Sequence, residues 1–321
     1  MDIICSGINF LNNSDVSIKW VFNMKSIKDR VVLVTGSGRG FGRAMAYTYA
    51  LEGAKVVAAA RTKAELDEMA KAIRAKGGEV LTVPMDLSKE DDIYKLRDKT
   101  LDTYGGLDTL VNNAATSLWK TFDEMTIKNF DFTMAVNLRA PFILTKAFFD
   151  TMKKQGGASV INVTSRSAEI GFVAEIGYCP SKYGIEGLTQ CLALELKPYN
   201  IAVNSLNVAS PPGKRLKPTE LTIAQAKQMP KEVREMYADD ESMYEAFKNA
   251  WVFLAVQDAK GVTGQRIGTR ELAEYLKSNP WTAALARWGG KLTQAVYVQY
   301  DFPKSVRYQT PEGGIKELKF E

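Results

Sequence analysis

The stretch from Val31 to Leu206 alternates short apolar runs with longer segments of helical periodicity. The apolar runs contain few polar residues, which indicates strands that are buried on both faces. Buried strands separated by helices predict an α/β fold, in which helices cover both faces of one doubly wound parallel β-sheet. A single domain of this size accounts for the pattern. The predicted strands are 31–34, 55–60, 80–83, 107–111, 159–163 and 201–206, and the predicted helices are 40–51, 63–76, 89–103, further helices to about 154, and 178–197.

Both ends of the chain lack this regular pattern. The first 24 residues are polar and irregular, without the features of a signal or transit peptide, and we expect a loose extension rather than an ordered arm. After the sixth strand, helices are predicted near 219–236 and 240–256, and short strands near 264–267 and 295–300. The predicted organisation is an N-terminal extension over 1–24, one domain over 25–279 that includes the segment 209–250, and a C-terminal extension over 280–321.

Composition argues against several classes of protein. The chain has no histidine, which removes Ser-His-Asp and Cys-His nucleophiles, histidine-ligated metals and histidine acid/base chemistry. Its three cysteines form no CxxC pair and no metal-ligand spacing, so we predict no metal and a reducing, cytoplasmic compartment. The net charge of +5 is spread among acidic residues, and nucleic acid is not a predicted partner. No apolar run approaches the ~20 residues that span a bilayer, so no membrane association is predicted.

A glycine-rich turn follows the first predicted strand. Residues 35–42 read Thr-Gly-Ser-Gly-Arg-Gly-Phe-Gly. Glycines let the backbone approach a ligand without Cβ clashes, and a diphosphate would then meet the N-terminal end of the following helix. We therefore predict a dinucleotide site of the Rossmann type at this turn. Its predicted contacts are Gly36, Ser37, Gly40, Phe41 and Gly42.

Two arginines indicate which dinucleotide is bound. A site for NAD usually has an acidic residue at the end of the second strand, where it binds the ribose 2′-hydroxyl. Here Ala60 is followed by Arg61, and Arg39 lies within the glycine turn. A guanidinium group suits a 2′-phosphate because its planar fork donates two charged hydrogen bonds. We predict NADP(H), preferred over NAD(H); the alternative is that both arginines are solvated surface charges.

A tyrosine and a lysine lie four residues apart at the start of the helix predicted over 178–197. This spacing places Tyr178 and Lys182 on one helix face. A free tyrosine has a pKa near 10, and a nearby ammonium group lowers that pKa by favouring the phenolate. The hydroxyl of Ser165, upstream of this pair, can orient and polarise a carbonyl. A Tyr-x-x-x-Lys pair by itself is an ordinary surface pair, but beside a dinucleotide turn it indicates hydride transfer between a nicotinamide and a carbonyl or alcohol.

With these motifs in order, the chain closely resembles the short-chain dehydrogenase/reductase family from about Val31 to Val256. The glycine turn and the Ser-Tyr-Lys set have the family's usual spacing. Three further segments match, namely Asp86–Leu87 after the third strand, Asn112–Ala115 after the fourth strand, and Asn137 in a predicted helix. The resemblance implies that Asp86 contacts the adenine and that Leu87, Asn113 and Ala114 also bind the cofactor.

The resemblance also implies a role for each member of the catalytic set. Tyr178 is expected to act as the acid/base, and Ser165 to bind the substrate oxygen. Lys182 is expected to bind the nicotinamide ribose and to lower the tyrosine pKa, with Tyr178 also contacting the cofactor. Asn137 is expected to hold a water that completes the proton relay.

Two segments depart from the family pattern. The family usually has Pro-Gly and then a threonine near the carboxamide after the sixth strand, where this chain reads Val-Ala-Ser-Pro-Pro-Gly over 208–213. Contacts to the nicotinamide are therefore open at this point. Ala115 replaces the final glycine of the Asn-Asn-Ala-Gly signature, which is a milder change.

The family's substrate pocket corresponds here to residues after the fourth strand, after Ser165 and in 209–250. From it we expect Ser117, Trp119 and Phe172 to contact the substrate, with the two aromatic rings forming an apolar wall. Plain packing of these rings is the alternative. The residues do not identify the substrate.

The sequence thus predicts an NADP(H)-dependent oxidoreductase that reduces a ketone or aldehyde, or in reverse oxidises a secondary alcohol. Its predicted partner is a small molecule. Two alternatives stay open: another hydride-linked step such as enone reduction, and a catalytically silent dinucleotide-binding sensor or scaffold, against which the complete catalytic set argues. The resemblance implies a homodimer or homotetramer that packs through the long helices around 123–154 and 178–197.

Overall fold

A computed structural model of the chain describes residues 26–216, 228–293, 303–310 and 314–320. Its strands are β1 Val31–Thr35, β2 Lys55–Ala60, β3 Glu79–Pro84, β4 Thr109–Asn112, β5 Ala158–Thr164, β6 Ile201–Asn207, β7 Arg266–Gly268, β8 Ser305–Gln309 and β9 Ile315–Lys319. The first seven form one parallel sheet in the order β3-β2-β1-β4-β5-β6-β7. The other two form a separate antiparallel hairpin. The predicted Rossmann-type α/β fold is confirmed.

Helices follow most strands of the parallel sheet. They are α1 Gly40–Leu51, α2 Lys63–Ala75, α3 Glu90–Tyr104, α4 Ile127–Met134, α5 Ala140–Lys154, α6 Tyr178–Leu196, α7 Lys231–Glu235, α8 Asp240–Ala255, α9 Thr269–Ser278 and α10 Trp281–Trp288. A π-helical turn, Ala135–Arg139, joins α4 to α5, and single 3₁₀ turns follow β5 and α6. None of the helices in the described ranges combines the length and the apolarity that a membrane span requires.

The two faces of the sheet pack in separate apolar layers. Along β1, Val32 and Val34 belong to the layer beneath α1, α2 and α8, whereas Val31 and Leu33 belong to the layer beneath α3, α5 and α6. Alternate side chains of a strand point to opposite faces, and here both sets are apolar and buried. This double burial is the physical reason for the uniformly apolar strands in the sequence.

Local signals set the ends of several helices. The Asp239 carboxylate accepts a hydrogen bond from the Ser242 main chain at 2.9 Å, and the Ser242 hydroxyl accepts one from the Asp239 main chain at 2.9 Å. This reciprocal capping box starts α8. At the other end of a helix, Gly105 adopts the left-handed conformation with φ of 74° and ends α3.

The predicted strands and helices of the first two thirds match the structure to within about two residues. The largest shift is in the fourth strand, which begins at Thr109 rather than at Leu107, and a π-helical turn interrupts the helices that precede residue 154. The first half of the helix predicted near 219–236 and all of the strand predicted near 295–300 lie outside the described residues, and the second half of that helix contains the short α7.

The C-terminal region contains ordered elements that the sequence analysis did not predict, namely α9, α10 and the β8–β9 hairpin. Ala284 and Trp288 of α10 are buried in the same apolar layer as α1 and α8. The Thr293 main chain donates to the Gly264 carbonyl oxygen at 2.9 Å, so the chain stays on the edge of the sheet up to that residue. The division at residue 280 into a domain and an extension stays a prediction.

Candidate active site

A cleft of about 750 Å³ opens at the carboxyl ends of the parallel strands. It lies where the strand order reverses between β1 and β4, the usual ligand position in a doubly wound sheet. Most residues predicted to bind a cofactor line it. They are Gly36, Arg39, Gly40, Phe41, Gly42, Arg61, Asp86, Leu87, Asn113, Ala114, Tyr178 and Lys182.

The glycine turn fits closely against the end of β4. A Cβ atom on Gly36 would lie 2.7 Å from the Ala114 Cα, and one on Gly42 would lie 2.2 Å from the Asn113 side-chain nitrogen. Gly36 also has a φ of +67°, which side chains rarely allow. The hydroxyl of Thr35 fixes the junction, because it accepts hydrogen bonds from the main-chain nitrogens of Asn113 and Ala114, both at 3.1 Å.

The N-terminal end of α1 is open to an anion. Its N-cap residue makes no side-chain capping bond, and its first turn has no acidic residue. Gly40, the first helical residue, has a φ of +60°, and a Cβ atom there would meet nothing within 4 Å. Unpaired N–H groups and the helix dipole favour a phosphate at such an end, so these residues fit a diphosphate. Ser37 does not line the cleft: it is buried, and its hydroxyl donates to the Ala59 carbonyl oxygen at 3.4 Å.

The charged groups near the end of β2 form the second part of the cleft. Arg61 is exposed, and Arg39 donates to the carboxylate of Glu65 at 3.3 Å. The Asp86 carboxylate accepts hydrogen bonds from the main chain and the hydroxyl of Ser88, at 3.0 and 2.9 Å. These contacts hold the carboxylate at the end of β3, on the floor of the cleft.

Tyr178 and Lys182 occupy the opposite part of the cleft, in the first two turns of α6. The Lys182 ammonium nitrogen lies 5.4 Å from the centre of the Tyr178 ring and donates to the Val163 carbonyl oxygen at 2.8 Å. The lysine is 2% exposed. Burial lowers the pKa of Lys182 to about 8, and the Glu186 carboxylate one turn further opposes that shift.

Asn137 lies in the π-helical turn and is buried beneath the cleft rather than lining it. Its side-chain oxygen accepts from the Thr116 main chain at 2.8 Å, and its nitrogen donates back to the Thr116 carbonyl oxygen at 2.9 Å. The same nitrogen donates to the Ser181 hydroxyl at 3.0 Å. Asn137 therefore joins the segment after β4 to the start of α6. Isolated π-helical turns occur frequently at functional sites.

Ser165 follows β5 and is tied to neighbouring polar groups. Its hydroxyl accepts from the Ser167 main chain at 3.2 Å and donates to the Ser167 hydroxyl at 3.3 Å. Ser167 in turn donates to the Glu175 carboxylate at 2.7 Å. The Ser165 carbonyl oxygen accepts from Arg266 of β7 at 3.1 Å. Ser165 is not among the residues that line the cleft, whereas Thr164, immediately before it, is.

The three predicted substrate contacts also lie outside the lining of the cleft. Ser117 is buried, and its hydroxyl has no hydrogen-bond partner within the described residues. Trp119 is half-buried, with a φ of +41°, and Phe172 is 40% exposed. The structure thus brings the cofactor residues together with Tyr178 and Lys182, but not with these three.

Among the charged residues that line the cleft and that sequence reasoning did not single out are Arg43 and Glu65. Arg43 donates to Asp240 at 2.7 Å, and its Nη1 atom is buried without a hydrogen-bond partner in the described residues. Glu65 comes from the first turn of α2. Neither belongs to a motif: Arg43 reaches the cleft because it lies one turn into α1, and Glu65 because α2 packs beside the glycine turn.

Comparisons with known proteins point to one family. The family model described as short chain dehydrogenase matches residues 30–213. An "Uncharacterized oxidoreductase" of Thermotoga maritima is 38% identical over 181 residues, which cover 56% of this chain and 71% of that protein. The sepiapterin reductase of Chlorobaculum tepidum is 32% identical over 183 residues, 55% of this chain and 75% of that protein.

A solved structure, a metagenomic short-chain oxidoreductase in complex with NADP, superposes with a TM-score of 0.61 at 27% identity. The match covers 75% of this chain and 98% of the other. The chain therefore belongs to the short-chain dehydrogenase family of oxidoreductases, whose members bind a nicotinamide dinucleotide.

Proposed function

We propose that the protein is an NADP(H)-dependent oxidoreductase that reduces a ketone or aldehyde and, in reverse, oxidises a secondary alcohol. The observation that carries the proposal is the common cleft. It joins Tyr178 and Lys182 to the glycine turn and to two arginines beside the end of β2. A cavity that brings a proton-transfer group close to a dinucleotide turn supports a reaction that uses both.

Tyr178 is the proposed acid/base. A bound nicotinamide supplies or accepts the hydride, and the phenol supplies or accepts the proton on the substrate oxygen. The Lys182 ammonium beside the ring favours the phenolate by charge. The Lys182 side chain is already anchored to the Val163 carbonyl oxygen, so little reorganisation is needed during the reaction.

Ser165 and Asn137 complete the proposed catalytic set. Ser165 is proposed to donate its hydroxyl to the substrate oxygen, which requires the proton to turn away from Ser167. Asn137 is proposed to complete the proton relay through the Thr116 main chain and a water. Ser117, Trp119 and Phe172 remain the proposed substrate contacts, and a small carbonyl compound or alcohol is the proposed partner.

NADP(H) is the proposed cofactor because two guanidinium groups face the cleft where a 2′-phosphate would lie. One related structure contains NADP, which supports the choice. We also propose a cytoplasmic homodimer or homotetramer. Exposed apolar side chains on the long helices, Phe142 on α5 and Leu194 on α6, support assembly through those helices.

Titration with NADPH and NADH in parallel tests this function. We expect the wild type to bind NADPH more tightly, and Arg39→Ala and Arg61→Ala each to reduce that preference. A screen of ketones and aldehydes with NADPH then tests the reaction, measured as loss of absorbance of the reduced nicotinamide. Equal affinity for both dinucleotides would overturn the cofactor assignment, and binding without turnover of any carbonyl would favour a silent dinucleotide sensor.

A further inference from the structure

The arginine end of the cleft contains the carboxylate of Glu65, although the end of β2 itself carries no acidic residue. Glu65 is five residues beyond the end of β2, in the first turn of α2, and its side chain is 13% exposed. One carboxylate oxygen lies 3.3 Å from the Arg39 guanidinium. The other lies against the glycine turn, because a Cβ atom on Gly38 would be 3.0 Å from it.

This contact leaves the two arginines in different states. Arg39 is 30% exposed and its charge is compensated by Glu65. Arg61 is exposed, and no ion pair of Arg61 occurs within the described residues. Among the residues that the structure describes, Arg61 thus makes no ion pair, whereas Arg39 is already paired with an acid.

On the basis of the dinucleotide function proposed above, we propose that Glu65 is a specificity-determining residue that limits the preference for a 2′-phosphorylated ribose. A phosphate monoester carries about two negative charges at neutral pH. To use Arg39, it must either approach the Glu65 carboxylate or displace it. Both cost free energy, because the charges have the same sign and the pair is only partly exposed.

An unphosphorylated ribose meets the opposite situation. Its 2′-hydroxyl is a neutral donor, and a carboxylate is a strong acceptor. Glu65 thus supplies from α2 the acidic group that NAD sites usually carry at the end of the second strand. The same side chain weakens binding of the phosphorylated ribose and strengthens binding of the unphosphorylated one.

Two ligands without a nicotinamide separate this effect from catalysis. Adenosine 2′,5′-bisphosphate and AMP differ by the 2′-phosphate, and calorimetry gives the Kd of each. The variant Glu65→Gln keeps the shape of the side chain and its contact with Arg39, but removes the charge. Asp67→Asn is the matched control: it removes a charge from the same helix, on an exposed residue that pairs with Lys63 at 2.6 Å and does not line the cleft.

We expect Glu65→Gln to tighten the bisphosphate by about tenfold and to weaken AMP by about threefold, as a single nearby charge does at a partly exposed site. Asp67→Asn should change each Kd by less than about twofold. Added salt should reduce the increase in affinity for the bisphosphate, because part of that increase comes from relief of charge repulsion. A melting temperature measured without ligand checks that each variant is folded, and Glu65→Ser serves as a second variant without the charge.

The outcomes separate this proposal from the function on which it depends. An unchanged ratio of the two Kd values in Glu65→Gln, with the bisphosphate still bound by the wild type, overturns the role of Glu65 and leaves the NADP(H) assignment standing. An equal change of that ratio in Asp67→Asn also overturns the role of Glu65, since the change would then come from the net charge of the protein. If neither ligand binds the wild type, the cofactor assignment and the role of Glu65 both fall.

Discussion

The two ends of the cleft are built in different ways. At the end that contains Tyr178, which we call the proton-transfer end after its proposed role, the side chains of Lys182 and Asn137 are buried and bonded to main-chain atoms: Lys182 to the Val163 carbonyl oxygen, and Asn137 to both main-chain groups of Thr116. At the end that contains Arg39 and Arg61, which we call the ribose end after its proposed ligand, both cations are at least partly exposed, and Arg39 is held by one ion pair at 3.3 Å.

Under the proposed function, this difference separates groups that determine rate and stability from groups that determine affinity. A buried polar group that loses its partner costs about 1–3 kcal/mol, so substitutions at the proton-transfer end should affect folding as well as chemistry. An exposed ion pair contributes about 0–1 kcal/mol to stability. Substitutions at the ribose end should therefore change which ligand binds while the fold remains as stable as before.

The largest expected effect is that of Tyr178→Phe. Loss of the phenolic hydroxyl removes the proposed acid/base, and turnover of a carbonyl substrate should fall by about 10²–10⁴-fold. The Kd for NADPH should change by less than about threefold, because the ring and Lys182 remain. Steady-state rates and a fluorescence titration measure the two quantities.

Tyr183→Phe is the matched control for this substitution, since Tyr183 is the next tyrosine on the same helix, is exposed and does not line the cleft. It should keep most of the activity. If Tyr178→Phe keeps more than about a tenth of the wild-type rate, Tyr178 is not the acid/base.

Lys182→Met should raise the stability of the protein and lower its activity at the same time. Burial lowers the pKa of Lys182 to about 8 in the folded protein, whereas an unfolded lysine has a pKa of about 10.4. At pH 7 the folded state must hold a charge in an apolar site, which costs stability. Lys182→Met removes that cost, which exceeds the loss of the hydrogen bond to the Val163 carbonyl oxygen, and we expect a net gain of about 2 kcal/mol in stability at pH 7 together with at least a hundredfold loss of activity.

The change of stability with pH tests whether the charge on buried Lys182 is the cause. Between pH 8 and 10.4 the unfolded chain binds more protons at this residue than the folded chain, so the wild type should become more stable as the pH rises through that window. The advantage of Lys182→Met should shrink over the same window. Chemical denaturation at several pH values measures it, with the exposed Lys197→Met as control. An advantage that is constant with pH would contradict the assigned cause.

Asn137→Ala tests whether the proton-transfer end also holds the fold together. It leaves the main-chain N–H and carbonyl of Thr116 without their partner, and we expect a loss of about 2 kcal/mol in the free energy of unfolding. Ser181→Ala, which removes one of the bonds of Asn137, should cost about half as much. Equal stability of Asn137→Ala and wild type would show that the difference between the two ends does not extend to folding.

Sequence reasoning singled out Tyr178 and Lys182, which line the cleft, but not Glu65, and the reason is physical. Tyr178 and Lys182 must lie on one helix face, so their spacing is visible in the chain. Glu65 meets Arg39 through the packing of α2 beside the glycine turn, and no local spacing records such a contact. For the same reason the central strands were predicted from their apolar runs, while α9, which packs on α8, and α10, whose aromatic rings contact α8 and α9, were missed.

The smallest expected effect is on stability at the ribose end. Arg61→Ala removes an exposed charge that makes no ion pair within the described residues, and the free energy of unfolding should change by less than about 0.5 kcal/mol. Glu65→Gln breaks an ion pair that is partly exposed, and should change it by less than about 1 kcal/mol. Chemical denaturation of both variants and of Asn137→Ala compares the free energy of unfolding that each end of the cleft contributes. A loss at Arg61 as large as that at Asn137 would mean that the ribose end is part of the structural core, and that ligand choice and folding are not separated in this cleft.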